Sequence, residues 1–116
     1  ESVMKTDCIF CKIIAGQLPT KPYAEYDDIL VIRDIAPKAP THLLIMPKKH
    51  IHDIASVEAD DMPLVARMMA VAQEIAHNND TKTKIDFRLM INNGAGAGQS
   101  VFHLHMHFLA GKQMSE

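Results

Sequence analysis

The chain has 116 residues, 47% apolar and 22% charged, with a net charge of −2, which suits one compact globular domain spanning 1–116. No apolar run reaches the length of a membrane span, residues 1–6 lack the apolar core of a signal peptide, and the absence of a long basic run argues against a nucleic-acid polymer as ligand. Residues 1–6 are expected to be disordered or an added leader ahead of Met4. Cys8 and Cys11 are the only cysteines. Their two-residue gap is a metal or redox spacing, and it fits a reducing, cytoplasmic setting.

Residues 8–14 read as a short helix with Ile9, Phe10, Ile13 and Ile14 as its apolar stripe, Asp7 as N-cap and Gly16 as its stop. Prolines 19 and 22 keep the next segment extended. Residues 23–26 and 29–34 then form two strands around an Asp27-Asp28 turn, a hairpin. A loop held by Pro37 and Pro40 leads to a third strand at 42–46, ended by Pro47, and to a loop at 48–52. The one long helix runs over 58–77. Leu64, Val65, Met68, Val71, Ala72 and Ile75 recur at three- and four-residue steps, acidic residues gather at its start, and Asn78, Asn79 and Asp80 end it. Met62, Met68 and Met69 read as core packing. A fourth strand at 86–92 turns Phe87, Leu89 and Ile91 to one face. The fold is expected to be α+β: about five strands in a mainly antiparallel sheet, with one long and one short helix.

The last strand, 101–109, carries the chemistry. Histidine stands at 103, 105 and 107, with Phe102, Leu104, Met106 and Phe108 between and around them. Strict alternation places the imidazoles on one face, about 7 Å apart. A neutral imidazole is a nucleophile, a proton carrier and a metal ligand. Just before this strand, residues 93–100 hold three of the five glycines. Such a loop lets a ligand approach the main chain, and its N–H groups can cradle an anion. A phosphate held against imidazoles suggests covalent catalysis, with central His105 as nucleophile and a second histidine protonating the leaving group. Metal-assisted hydrolysis is the rival, because histidines on alternate strand positions can both ligate zinc.

The run from His103 to Leu109 resembles the His-φ-His-φ-His-φ-φ motif of the histidine triad (HIT) superfamily. Residues 34–42, 47–51 and 98–101 also look like blocks of that family, closer to its Hint branch than to its dinucleoside-polyphosphate hydrolase branch. The resemblance implies a homodimer that hydrolyses purine nucleoside 5′-phosphoramidates or related nucleotidyl esters and anhydrides through a nucleotidyl-histidine. Alternatives are a dinucleoside polyphosphate hydrolase, or a nucleotide-binding regulatory module. By position, His105 is implied as the nucleophile, with His107 and His42 in proton transfer. Asn92, Gly98, Gln99 and Ser100 belong to the implied phosphate block. Asp34 would accept hydrogen bonds from the ribose, and Ile9, Phe10, Ile13 and Ile35 would pack on the purine. The pair Cys8 and Cys11 resembles the start of zinc-type bacterial members, which implies structural zinc held by Cys8, Cys11, His50 and His103.

Overall fold

The computed structural model describes residues 7–78 and 85–116. The expectations for residues 1–6, and for Asn79 and Asp80 at the end of the long helix, fall outside them. Five strands form one antiparallel sheet: β1 (Ala24–Glu25), β2 (Ile29–Arg33), β3 (Thr41–Pro47), β4 (Phe87–Met90) and β5 (Met106–Ala110), in the order β1-β2-β3-β5-β4. Two helices join them, α1 (Ile9–Ile14) and α2 (Met62–His77). The α+β architecture expected from the sequence is the one observed.

The register explains why β2 and β3 read as almost unbroken apolar runs. Leu44 sits opposite Ile32 and His107, and Ile45 opposite Val31 and Met106. Residues directly opposite share a face, and successive residues alternate between faces. Val31, Leu43, Ile45, Met106 and Phe108 therefore pack with Met68, Val71, Ala72 and Ile75 of α2 in the main core. Leu30, Ile32, Leu44 and Met46 face the other way and meet Cys8, Phe10 and Cys11 of the N-terminal segment. A strand covered on both faces needs apolar residues at every position.

The six-residue α1 is far too short to hold itself in water. Its N-cap is Cys8, not Asp7: the Cys8 Sγ accepts the Cys11 amide at 3.3 Å. Its end is a Schellman turn. Gly16 has φ +77°, its amide donates to the Ile13 carbonyl, and the Gln17 amide donates to Lys12. Phe10 and Cys11 are the buried residues of the helix, while Ile9 stays half exposed.

Two boundaries and one packing assignment differ from expectation for physical reasons. Residues 59–61 form a 3-10 turn, so α2 proper starts at Met62, with Pro63 in its first turn. Met68 is buried, whereas Met62 and Met69, seven residues apart on one face, are half exposed and are not core. The last strand starts at Met106, not at 101. Upstream, the Leu104 amide donates to the Ile51 carbonyl at 2.7 Å, which draws 101–105 out of the sheet and against the 48–52 loop. Phe102 accordingly leaves the core and stacks on His52, with ring centroids 4.9 Å apart.

Candidate active site and metal centre

The face of the sheet under α1 holds a cleft of about 370 Å³. Its apolar end is built by Ile9, Phe10 and Ile13 from α1, Leu18 from the following loop, and Ile32 and Leu44 from β2 and β3. Its polar end is Asp34, Ser100, His105 and His107. Antiparallel pairing places Leu44 opposite His107 on this face, and His42 two residues before Leu44 on the same face.

The hydrogen bonds assign each imidazole its protons. His105 Nδ1 lies 2.7 Å from the His103 carbonyl, which can only accept. The proton is therefore on Nδ1, and the lone pair of Nε2 is left for chemistry. The His105 ring packs edge-on against Phe10, with centroids 5.2 Å apart. His42 Nδ1 accepts the Lys38 amide at 3.0 Å, so its proton is on Nε2. That proton points to His107 Nδ1 at 2.9 Å, with Asp34 Oδ2 at 3.4 Å. His107 is thereby left with its proton on Nε2. Asp34 is oriented by the Ala36 amide, 2.8 Å from its Oδ1.

Burial keeps this group neutral. Desolvation pushes His107 down to about 4, helped by the neighbouring His105 and His42, and also lowers His105. His42 is lowered by burial too, against the opposing pull of the Asp34 carboxylate. The arrangement offers one uncharged nitrogen nucleophile beside a relay of N–H groups.

His103 does not stand beside His105 in a ladder. It is completely buried and turns toward α1. Its Nε2 donates to the Pro47 carbonyl at 2.8 Å, leaving the Nδ1 lone pair 3.5 Å from Cys8 Sγ, 3.6 Å from Cys11 Sγ and 3.2 Å from His50 Nδ1. Cys11 Sγ to His50 Nδ1 is 3.3 Å. Ordinary zinc bond lengths in a tetrahedron give S···N edges of about 3.6 Å and N···N edges of about 3.3 Å. All four donors lie within 4.8 Å of one another and can hold a metal ion. The Pro47 carbonyl on His103 is the outer partner a ligating histidine normally has. Desolvation drives His103 down to about 4, the neutral state that ligation requires.

The sequence-derived residues divide cleanly. Ile9, Phe10, Ile13, Asp34, Ile35, Ser100, His105 and His107 line the cleft, although Ile35 stands fully exposed at its mouth. Asn92, Gly98 and Gln99 do not line it. Gln99 is buried and clamps the glycine loop: its Oε1 accepts the Gly94 amide at 2.7 Å, and its Nε2 donates to the His52 and Val101 carbonyls. Gly98 takes φ +100° against Asn92, whose Nδ2 would lie 3.4 Å from an added Cβ. The amides of Ala97, Gly98 and Gln99 bond within the turn, to the carbonyls of Gly94 and Ala95. Of the implied phosphate block, Ser100 is the residue that lines the cleft. Leu18, Thr20, Ile32, Arg33, Leu44 and Val101 also line the cleft and were not anticipated.

Comparison with known proteins agrees with this geometry. A family profile described as "Scavenger mRNA decapping enzyme C-term binding" matches residues 7–116. A HIT-like protein of Synechocystis is 40% identical over 112 residues, covering 97% of this chain and 96% of that one. The crystal structure of a HIT family hydrolase from Legionella pneumophila superposes with a TM-score of 0.87 at 44% identity, covering 94% and 96% of the two chains. A histidine triad protein from Clostridium difficile gives a TM-score of 0.88 at 37% identity over 98% of each chain.

Proposed function

The chain belongs to the histidine triad family, and from that premise we propose that it is a nucleotide hydrolase of the Hint type, cleaving purine nucleoside 5′-phosphoramidates. The observation that carries the proposal is the bare Nε2 of His105, held by the His103 carbonyl in a cleft with an apolar slot at its other end. The slot between Phe10, Ile13 and Leu44 suits a flat base. Asp34 suits the ribose hydroxyls, and Ser100 suits the α-phosphate.

In the proposed reaction, His105 Nε2 attacks phosphorus and forms a P–N bond as the bond to the leaving amine breaks. His107 Nε2–H lies on the same face and supplies the proton that the departing amine needs. His42 Nε2–H, bonded to His107 Nδ1, supports the charge change on His107, and Asp34 Oδ2 supports His42. Water then attacks phosphorus and passes a proton to His107 Nε2 as the P–N bond to His105 breaks, releasing the nucleoside monophosphate, restoring the His107 N–H and returning the lone pair to His105. The His105→Ala variant should still bind adenosine monophosphate while hydrolysing an adenosine 5′-phosphoramidate at less than about a tenth of the wild-type rate, since covalent catalysis is worth orders of magnitude. A variant above that rate sinks the nucleophile assignment. Product analysis beside a diadenosine polyphosphate separates the two hydrolase types.

The same proposal assigns Cys8, Cys11, His50 and His103 to structural zinc, in a cell compartment reducing enough to keep the thiols as ligands. A four-ligand site has no open position, so zinc there would supply a cross-link between α1 and the sheet. Protein purified without chelator should carry about one equivalent of zinc. Cys8→Ser should lower both zinc content and melting temperature. Zinc-free protein, with a Cys8→Ser melting temperature equal to wild type, excludes the site.

A homodimer completes the proposal. Among the described residues β4 has a sheet neighbour on one side only, and Met62, Met69 and Met90 expose apolar surface on α2 and β4. An open edge beside apolar surface favours pairing with a second copy. Light scattering at micromolar protein should give twice the chain mass, and a monomer would contradict it.

A further inference from the structure

Beside the cleft, on the far side of Asp34, lies a second recess of about 310 Å³, lined by Tyr23, Arg33, Asp34, Pro40, Thr41 and His42 among others. Arg33 and Asp34 line both spaces. Arg33 is the last residue of β2 and is exposed. Its guanidinium carbon sits 4.9 Å from the centre of the Tyr23 ring. That cation–π contact holds the guanidinium over the ring and uses none of its N–H donors. Among the described residues Arg33 has no carboxylate partner, although Asp34 is its chain neighbour: the Asp34 oxygens are turned to the Ala36 amide and to His42. The surface arginine of α2 differs, since Arg67 is bidentate to Asp28. A second cation, Lys38, stands on the loop between Pro37 and Pro40, its ammonium 3.3 Å from the Ala36 carbonyl.

A pre-oriented guanidinium with unused donors, in a polar recess, is a receptor for a planar or tetrahedral oxyanion. Its position says which oxyanion. Asp34 forms the divide between recess and cleft, and on the proposed function Asp34 meets the ribose. One hydroxyl of the cis-diol can bond the carboxylate while a substituent on the other projects across the divide. We infer that Arg33 and its recess form a subsite for a second phosphate carried on the ribose 2′ or 3′ oxygen of the nucleotide. The inference rests on the Asp34–ribose placement. It makes 2′- or 3′-phosphorylated nucleotides better ligands than plain 5′-monophosphates. The field of Asp34 opposes the phosphate, and the Arg33 guanidinium, which lines the recess, is the cation that offsets it there.

The test is calorimetric titration of the full chain with adenosine 5′-monophosphate, the two adenosine bisphosphates (2′,5′ and 3′,5′) and adenosine 5′-diphosphate. One bisphosphate should bind at least about fivefold tighter than the monophosphate, the scale of one exposed charge-assisted contact. In Arg33→Gln that ratio should fall toward one, and Arg33→Lys should keep part of it. The diphosphate-to-monophosphate ratio should not respond to Arg33. Equal or weaker bisphosphate binding in the wild type, or a preference that survives Arg33→Gln, overturns the subsite. Loss of diphosphate preference alone moves the second phosphate to the 5′ side and also overturns it. Failure of the monophosphate to bind at all removes the nucleotide cleft itself, and this inference with it.

Discussion

One residue joins the two halves of this molecule. The His103 carbonyl accepts the Nδ1 proton of His105 at 2.7 Å, while the His103 ring faces two sulfurs and a second imidazole. Its remaining nitrogen is tied to Pro47. The carbonyl and both ring nitrogens of a completely buried residue are thereby committed. An unsatisfied buried donor or acceptor costs about 1–3 kcal/mol, so the His103 ring has little freedom to turn over. Because its backbone is pinned with it, the tautomer of His105 is set from outside the cleft. His105 is thus held neutral with Nε2 bare before any ligand arrives, and on the proposed function preorganisation of this kind avoids rearrangement during reaction.

The fold follows from serving both faces of one sheet. The face under α2 is a conventional apolar core. The other face is shared between a small apolar cluster and the histidines, and its cover is a six-residue helix. Such a helix contributes little stability by itself, yet it and its N-cap supply Phe10 to the cleft and Cys8 and Cys11 to the Cys/His cluster. Packing, the Cys8 cap and the Schellman turn hold it in place, and on the proposed function zinc would add a cross-link. The 48–52 loop has a similar double duty. It presents His50 to the sulfurs, bonds Leu104 through Ile51, and receives the Gln99 amide on the His52 carbonyl. The glycine loop, the Cys/His cluster and the histidine segment are thus one connected unit.

Much of this was legible in the chain. Strand order in sequence, the long helix and the cleft histidines all show as periodicity or as a motif, because each obeys a simple repeat. The failures have physical causes. The alternation of 101–109 reads as continuous strand, but the Ile51 carbonyl competes successfully for the Leu104 amide, and the sheet begins only at Met106. Gln99 adjoins Ser100 in the implied phosphate block, and no local pattern shows that its side chain bonds the Gly94 amide and the His52 and Val101 carbonyls. Ile32 and Leu44 line the cleft unannounced, since strands buried on both faces give no period that distinguishes wall from core. Leu18, Thr20 and Arg33 carry no local pattern at all, and tertiary folding alone brings them to the site.

The central claim is that His105 rests neutral with its proton on Nδ1 and its lone pair on Nε2. Nitrogen-15 spectroscopy of the imidazoles reports this directly, through the distinct shifts of protonated and bare ring nitrogens. With His105 assigned by comparison with His105→Gln, its Nε2 should show the shift of an unprotonated nitrogen at pH 7. That signal should predominate even at pH 6.5, because burial holds the ring below the ordinary imidazole midpoint. A proton found on Nε2 at pH 7, whether in the other tautomer or in the imidazolium, would contradict the account.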